Sequence, residues 1–393
     1  MKFKNRNMKI TISKRTILWF LILICYIESP YLVRFQIIDI CYSIGKIISI
    51  SFIMFKLKKV RLNFFTSIIM LIEVLLWFST FRTGSGLVTA TNQVFSVIAF
   101  TIIVDIMLRE NMQRCIYVLY LIFSLMIYIN VLSMILYPDG LYTVAGIVGT
   151  KKYYFLGQQN SMGLYSMIAI VLGELRLKVD KSRRYKLGNL LFLEAISIFY
   201  IITVWSVTSL FSVGGLIAIN TYNRMSNKGW SISLIWNLIL NGLIFSLFVV
   251  GQNLRIFATF FEKYLHREIT LSGRTNIWVV AIKVFEQEPI WGVGLGKGKD
   301  LFGFATTHNR YLNTLFTSGL VGFVLFIMLL IWLCVKLKDS KESIAKIFIA
   351  YFTILLITIQ GETFDNNLFY LMFIFVNNLY LIRKQYYIYW ECI

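Results

Sequence analysis

Apolar runs of about twenty residues, separated by short basic clusters, limit this chain to one kind of fold. A hydrocarbon core about 30 Å thick is crossed by about 20 apolar residues of helix, each rising about 1.5 Å. Runs of that kind lie at about 17–33, 36–55, 64–80, 87–108, 115–136, 160–175, 188–205, 207–221, 232–250, 311–335, 344–360 and 366–382. The short alternating segments of a membrane β-barrel are missing. The pattern predicts an all-α integral membrane protein of about twelve transmembrane helices. Hydrophobic residues make up 58% of the chain, above the half expected of a soluble domain.

The formal charge of +20 does not point to nucleic acid, because the basic residues fall between apolar runs rather than on one soluble face. Their distribution orients the helices instead. Loops on one side carry Lys56, Lys58, Lys59 and Arg61, then Arg176 to Lys186, then Lys336 to Lys346, while short loops on the other carry only Arg34, Arg82, Lys151 and Lys152. Cytoplasmic loops are the Lys- and Arg-rich ones, so both termini are expected in the cytoplasm. The basic lead before Ile17 is followed by no small-residue cleavage site, which predicts an uncleaved first span.

One long segment escapes the spanning pattern. The organisation expected is a membrane domain of about nine spans over 1–251, an extracytoplasmic catalytic loop over 252–310, and about three spans with a short cytoplasmic tail over 311–393. Apolar spacing at Leu254, Phe257, Phe261 and Leu265, and again over Asn276 to Phe285, predicts short amphipathic helices in the loop. Ser272 is expected to cap the second, with Trp278 and Trp291 near the lipid interface. The scattered cysteines read as buried spacers.

The loop also concentrates the groups that can do chemistry. His308 stands where the chain re-enters the membrane, and a neutral imidazole there can take a proton from a sugar hydroxyl. Arg274 lies in a Gly-flanked turn and offers two-pronged donors that match phosphate oxygens. With Arg310, Arg255 and Lys297 it is expected to form an external cationic rim suited to an anionic lipid diphosphate. The alternate glycines from Gly292 to Gly298 read as a tight turn bringing backbone close to the bundle, since neither strand nor helix frames them as a nucleotide loop. Acids inside apolar runs are costly: Asp105 and Glu174 are expected to reach water at helix ends, and Glu73 and Glu194 to pair with polar groups in the bundle, Lys46 among them. No spacing suggests a metal, and none is expected.

Three stretches follow one another in the loop and the helix after it: Ser272-Gly-Arg274-Thr-Asn-Ile-Trp278, Pro289-Ile-Trp-Gly-Val-Gly-Leu-Gly296, and His308-Asn309-Arg310-Tyr-Leu312 with Gly319-Leu-Val-Gly322. As an ordered set they resemble the O-antigen ligase and polymerase superfamily. Upstream, Phe155-Leu-Gly-Gln-Gln-Asn160-Ser-Met-Gly163 and Trp205-Ser-Val-Thr-Ser209-Leu210 resemble two further family motifs. Ligases often carry arginine after that serine, where Leu210 stands here.

The resemblance implies a membrane glycosyltransferase, a polysaccharide polymerase without cofactor. It would join undecaprenyl-diphosphate-linked oligosaccharide repeats, as donor and acceptor, into a capsule, exopolysaccharide or O-antigen-like polymer on the outer face of a bacterial cytoplasmic membrane. It implies Arg274 and His308 as catalytic, with Arg310, Arg255, Lys297, Asn309, Asn160 and Ser209 contacting the diphosphate or glycan. Membrane lipids, a flippase and a chain-length regulator are the further partners implied. Transfer to another acceptor, as in a ligase, and export of the lipid-linked repeat are the alternatives; the concentration of polarity in one outer loop and the lack of an internal repeat argue against export.

Overall fold

The computed structural model describes residues 13–145, 150–158, 160–179, 183–226, 233–251, 274–303, 306–338, 342–364 and 366–390. Five described helices are long and apolar enough to cross a membrane: Gln36–Phe55, Phe64–Thr83, Leu87–Leu136, Lys186–Thr203 and Arg310–Lys336. Shorter apolar helices cover Leu234–Val250, Ser343–Thr358 and Asn366–Asn377. This is the helical membrane protein that the apolar runs predict.

In chain order the helices are α1 (Lys14–Ile24), α2 (Gln36–Phe55), α3 (Phe64–Thr83), α4 (Leu87–Leu136), α5 (Met162–Val179), α6 (Arg183–Thr203), α7 (Val207–Met225) and α8 (Leu234–Ile244, continued by a π turn to Val250). They are followed by α9 (Arg274–Gln287), α10 (Lys297–Phe302), α11 (Arg310–Lys336), α12 (Ser343–Thr358), α13 (Asn366–Asn377) and α14 (Leu379–Trp390).

Local chemistry sets their ends. Asn63 and Thr66 form a reciprocal capping box at the start of α3, which ends at Gly84 with φ +70. α4 merges the two runs expected at 87–108 and 115–136. The backbone breaks at Asn111, φ −160, and the Asn111 side chain accepts the Arg114 amide at 2.9 Å, capping the second half as a new helix. The last run likewise divides, into α13 and α14 at Asn378. The expected loop helix over Asn276 to Phe285 is α9; the one expected around Leu254 to Leu265 lies outside the described residues, as does Ser272.

One element was not expected. Tyr142–Ala145, Thr150–Tyr154 and Gly157–Gln158 form an antiparallel sheet, β1-β2-β3, with Tyr142 opposite Tyr153. Its aromatic and β-branched residues suit a strand, yet the segment is too short to stand out between two spanning runs.

α5 and α13 are buried along nearly their whole length, and α12 along most of it; together with the inner faces of α3, α4 and α11 they make the core. α2 faces outward, with only Tyr42 and Ser49 buried. Two of the cysteines depart from the spacer reading: Cys41 is exposed and Cys25 half-buried.

The buried acids are paired, but not as expected. Lys46 bonds Glu28 at 2.6 Å, not Glu73 or Glu194. Asp105 does not reach water: it is 3% exposed, held by Arg109 at 2.5 Å and Asn378 at 2.7 Å. Glu174 and Glu194 share Arg224, at 2.6 and 2.5 Å, tying α5, α6 and α7 together. Removing one partner of a buried ion cluster leaves uncompensated charge, at a cost of about 3–5 kcal/mol. Arg224→Ala is therefore expected to lower the melting temperature in detergent strongly, and adding Glu174→Gln and Glu194→Gln to recover most of the loss.

Candidate functional site

The glycine run works as a tight turn. Residues 289–294 run alongside α11 where that helix breaks at Gly319, φ +63 and ψ −164. Val293 and Gly294 donate to the carbonyls of Phe316 and Thr317, both at 2.9 Å, and Leu320 and Val321 donate to those of Pro289 and Ile290 at 2.7 and 3.3 Å. A Cβ on Gly294 would lie 2.4 Å from Thr80 Cα, and one on Gly319 would lie 2.2 Å from the Ile290 carbonyl oxygen. Only glycine fits either position. The Thr80 hydroxyl accepts the Leu295 amide at 3.0 Å, and Arg82 donates to the Gly292 carbonyl at 3.0 Å. This anchorage fixes the end of α9 and the chain leading to α11.

α9 begins at Arg274, and α11 begins just after His308. Asn309 accepts the Leu312 amide at 2.9 Å as the N-cap of α11, while its own amide donates to the Gln360 carbonyl at 2.9 Å. Asn309 is 0% exposed. It shapes the site and cannot touch substrate, contrary to its expected role. Gln360 in turn donates to the Asn241 carbonyl at 2.8 Å, joining α8 to the cluster. Thr307 is equally buried; its hydroxyl donates to the Asn309 carbonyl at 2.9 Å and its carbonyl accepts Trp278 Nε1 at 3.0 Å. Trp278 is therefore a core residue, 4% exposed, and not a lipid-interface anchor.

His308, between these two buried residues, has φ +56, in the left-handed region. A non-glycine residue held there costs on the order of 1–3 kcal/mol and persists only where its surroundings over-determine it. Burial, then the nearby Arg274 and Lys151 charges, push its imidazole down to about 4, against a smaller upward pull from Glu362. At neutral pH the ring is uncharged.

Arg274 donates to the Gly361 carbonyl and to Glu362 Oε1, the latter at 2.8 Å. The same Glu362 oxygen accepts the Asn160 amide at 2.9 Å. The Asn160 carbonyl oxygens are held in turn: Ser206 donates to its side chain at 2.7 Å and Ser209 to its backbone at 3.1 Å. The two upstream motifs thus interlock, with Gly163 leaving room for the Ser209 side chain: a Cβ there would lie 2.9 Å from Ser209 Oγ. Ser209 is 1% exposed, so it positions Asn160 and does not reach a ligand.

One member of the expected rim departs from it. Arg310 is 8% exposed; it donates to Asn366 Oδ1 at 2.6 Å, and its guanidinium lies 4.7 Å from the centre of the Phe369 ring. It points into the bundle. Lys297 opens α10 beside the Gly296–Ser85 contact, and no described contact joins it to His308. Arg255 lies outside the described residues. Glu362, which ties Arg274 to Asn160, was not singled out in the sequence, and neither was Gln360; the available signal was Gln360-Gly-Glu-Thr-Phe, a polar turn between two apolar runs.

A polytopic membrane protein with a polar cluster built from an arginine, a carboxylate, two amide side chains and a neutral histidine, where helices α5, α9, α11 and α13 begin, is the class that fold and geometry define. Residues 190–327 match the family model described as O-Antigen ligase, in line with the resemblance of the ordered stretches to that superfamily. The matched stretch runs from α6 into α11 and contains Ser209, Arg274, His308 and Arg310. That match supports a function of the ligase or polymerase type, that of a membrane glycosyltransferase-like enzyme. No curated protein matches the chain significantly.

Proposed function

We propose that the protein polymerises undecaprenyl-diphosphate-linked oligosaccharide repeats into a surface polysaccharide on the outer face of the cytoplasmic membrane. The observation that carries this reading is Arg274 held beside Glu362 and Asn160 within the electrostatic reach of a neutral His308. The absence of an arginine after Ser209 favours polymerase over ligase, and the placement of basic loops favours twelve spans, cytoplasmic termini and an outer 252–310 loop.

The reaction asks little of the protein. An acceptor hydroxyl oxygen attacks the anomeric carbon of the donor, the bond from that carbon to the diphosphate oxygen breaks, and undecaprenyl diphosphate leaves with the electron pair. Diphosphate is a competent leaving group, so alignment and charge stabilisation supply most of the rate. Arg274 turns its fork from Glu362 to the diphosphate oxygens, and His308 takes the hydroxyl proton. A bound dianion also raises the imidazole's proton affinity, because an opposite charge nearby favours the charged form. The base is strengthened only when donor is present. In the direction the resemblance implies, the growing chain is the donor and the next lipid-linked repeat the acceptor.

The test is a gel of polymer length, using purified protein in lipid and a synthetic lipid-diphosphate repeat. A ladder of products supports the polymerase. A single product on a different acceptor, or labelled repeat crossing the bilayer with no ladder, overturns it.

A further inference from the structure

A cavity whose lining includes neither Arg274 nor His308 plays no part in the chemistry above. It encloses about 450 Å³ between the end of α1, α2, α4 and the start of α13, within the range of about 300–1,000 Å³ typical of small-molecule pockets. Thr89 and Asn92, both exposed, stand at its mouth on the first turns of α4; Ser96 and Asn367, each 7% exposed, lie deeper.

The lining mixes apolar with polar side chains and is electrically balanced. Its only charged side chains among the described residues are Glu28 and Lys46, which neutralise each other at 2.6 Å. The remaining polar groups are amides and hydroxyls: Asn92, Gln93, Asn366, Asn367, Ser96 and tyrosines 26 and 165. Several are held in fixed orientation. Asn367 donates to Ser96 Oγ at 2.9 Å, and Asn366 accepts from Arg310 at 2.6 Å while donating to Glu73 at 3.1 Å. A phosphate would need excess positive charge, and a prenyl tail would bury the wall's amides and hydroxyls against hydrocarbon. Oriented neutral donors and acceptors in a partly apolar pocket match a polyhydroxylated, uncharged ligand.

The cavity is also wired to the reaction centre. Arg310, two residues beyond His308, holds Asn366 in the cavity wall, and Asn366 lies four residues beyond Glu362. We propose that this cavity is a saccharide-binding subsite, which takes sugar residues of the glycan at a distance from the reacting bond. The proposal rests on the reading of the chain as a glycan transferase, and supplies the remote contacts by which such an enzyme uses binding energy to align the reacting groups.

The experiment is equilibrium dialysis of the full-length protein in lipid nanodiscs against a radiolabelled repeat-unit oligosaccharide, freed of its lipid diphosphate by mild acid. Wild type is expected to bind. Asn92→Trp and Thr89→Trp, which plug the mouth from exposed positions, are expected to bind at least tenfold more weakly with unchanged melting temperature, while Arg274→Ala binds as wild type. Lack of binding by wild type, equal binding by both cavity variants, or displacement of the sugar by undecaprenyl phosphate overturns the subsite. Because the probe carries no diphosphate and no bond is made, this result is independent of whether the polymer ladder forms.

Discussion

Replacing Arg274 with alanine is expected to slow polymer formation by about 10²–10³-fold, the usual cost of removing one preorganised donor from a developing negative charge. Lysine in its place keeps the charge but loses the fork, and is expected to recover only part of the rate. Arg274 also bonds Gly361 and Glu362, so a purely structural role has to be separated from a chemical one. Glu362→Gln does this. It dismantles the same ion pair while leaving an oxygen for Asn160, and it removes nothing that the diphosphate needs. If Glu362→Gln and Arg274→Ala lose activity equally, Arg274 serves the fold. A far larger loss in Arg274→Ala, with both proteins melting near wild type, assigns it to the diphosphate.

His308→Ala is expected to cost about 10²–10⁴-fold, the range for general acid–base catalysis. The pH dependence is more specific. With its imidazole pushed down to about 4 in the free enzyme, the base remains unprotonated well below neutrality. The acid limb of kcat/KM, which reports the free enzyme, is expected near pH 4 rather than near the ordinary histidine value of about 6.5. The limb of kcat, which reports the donor complex, is expected at higher pH because the diphosphate favours the imidazolium. Coincident limbs near 6.5 would show that His308 is not the titrating base. The same depression bears on stability: between about 6.5 and about 4 the unfolded chain binds the extra proton, so this group's contribution is full above 6.5 and falls as pH drops through that window.

The sequence shows apolar helices because twenty apolar residues leave few alternatives, and it draws attention to Arg274 and His308 because they stand in ordered stretches within a long segment outside the apolar pattern. It does not show what they touch. Glu362 meets Arg274 across 88 residues of chain, and no periodicity or spacing encodes such a meeting. Arg310 misled for a related reason. Adjacent to His308 in sequence, it begins α11, and a helical turn carries its side chain inward to Asn366 and Phe369. The glycine turn was legible from the missing side chains, but its partner was not: nothing within α11 says that Gly319 breaks the helix for Pro289 and Ile290 to fill. The acids in the bundle were visible as costs, and their actual partners depend on helix packing that hydropathy does not report.

The pairing of residues 289–294 with the broken turn of α11 bears on how this enzyme can be dissected. Each strip supplies the other with the hydrogen-bond partners that a severed helix would otherwise have to find in lipid, where such groups go unsatisfied. A soluble fragment cut from the segment before α11 would lose the carbonyls of Phe316 and Thr317, and the remaining membrane part would lose those of Pro289 and Ile290. An antibody or inhibitor selected against the excised loop would meet a shape that the intact enzyme does not present, and ligands for this protein are better sought against the whole chain in a bilayer.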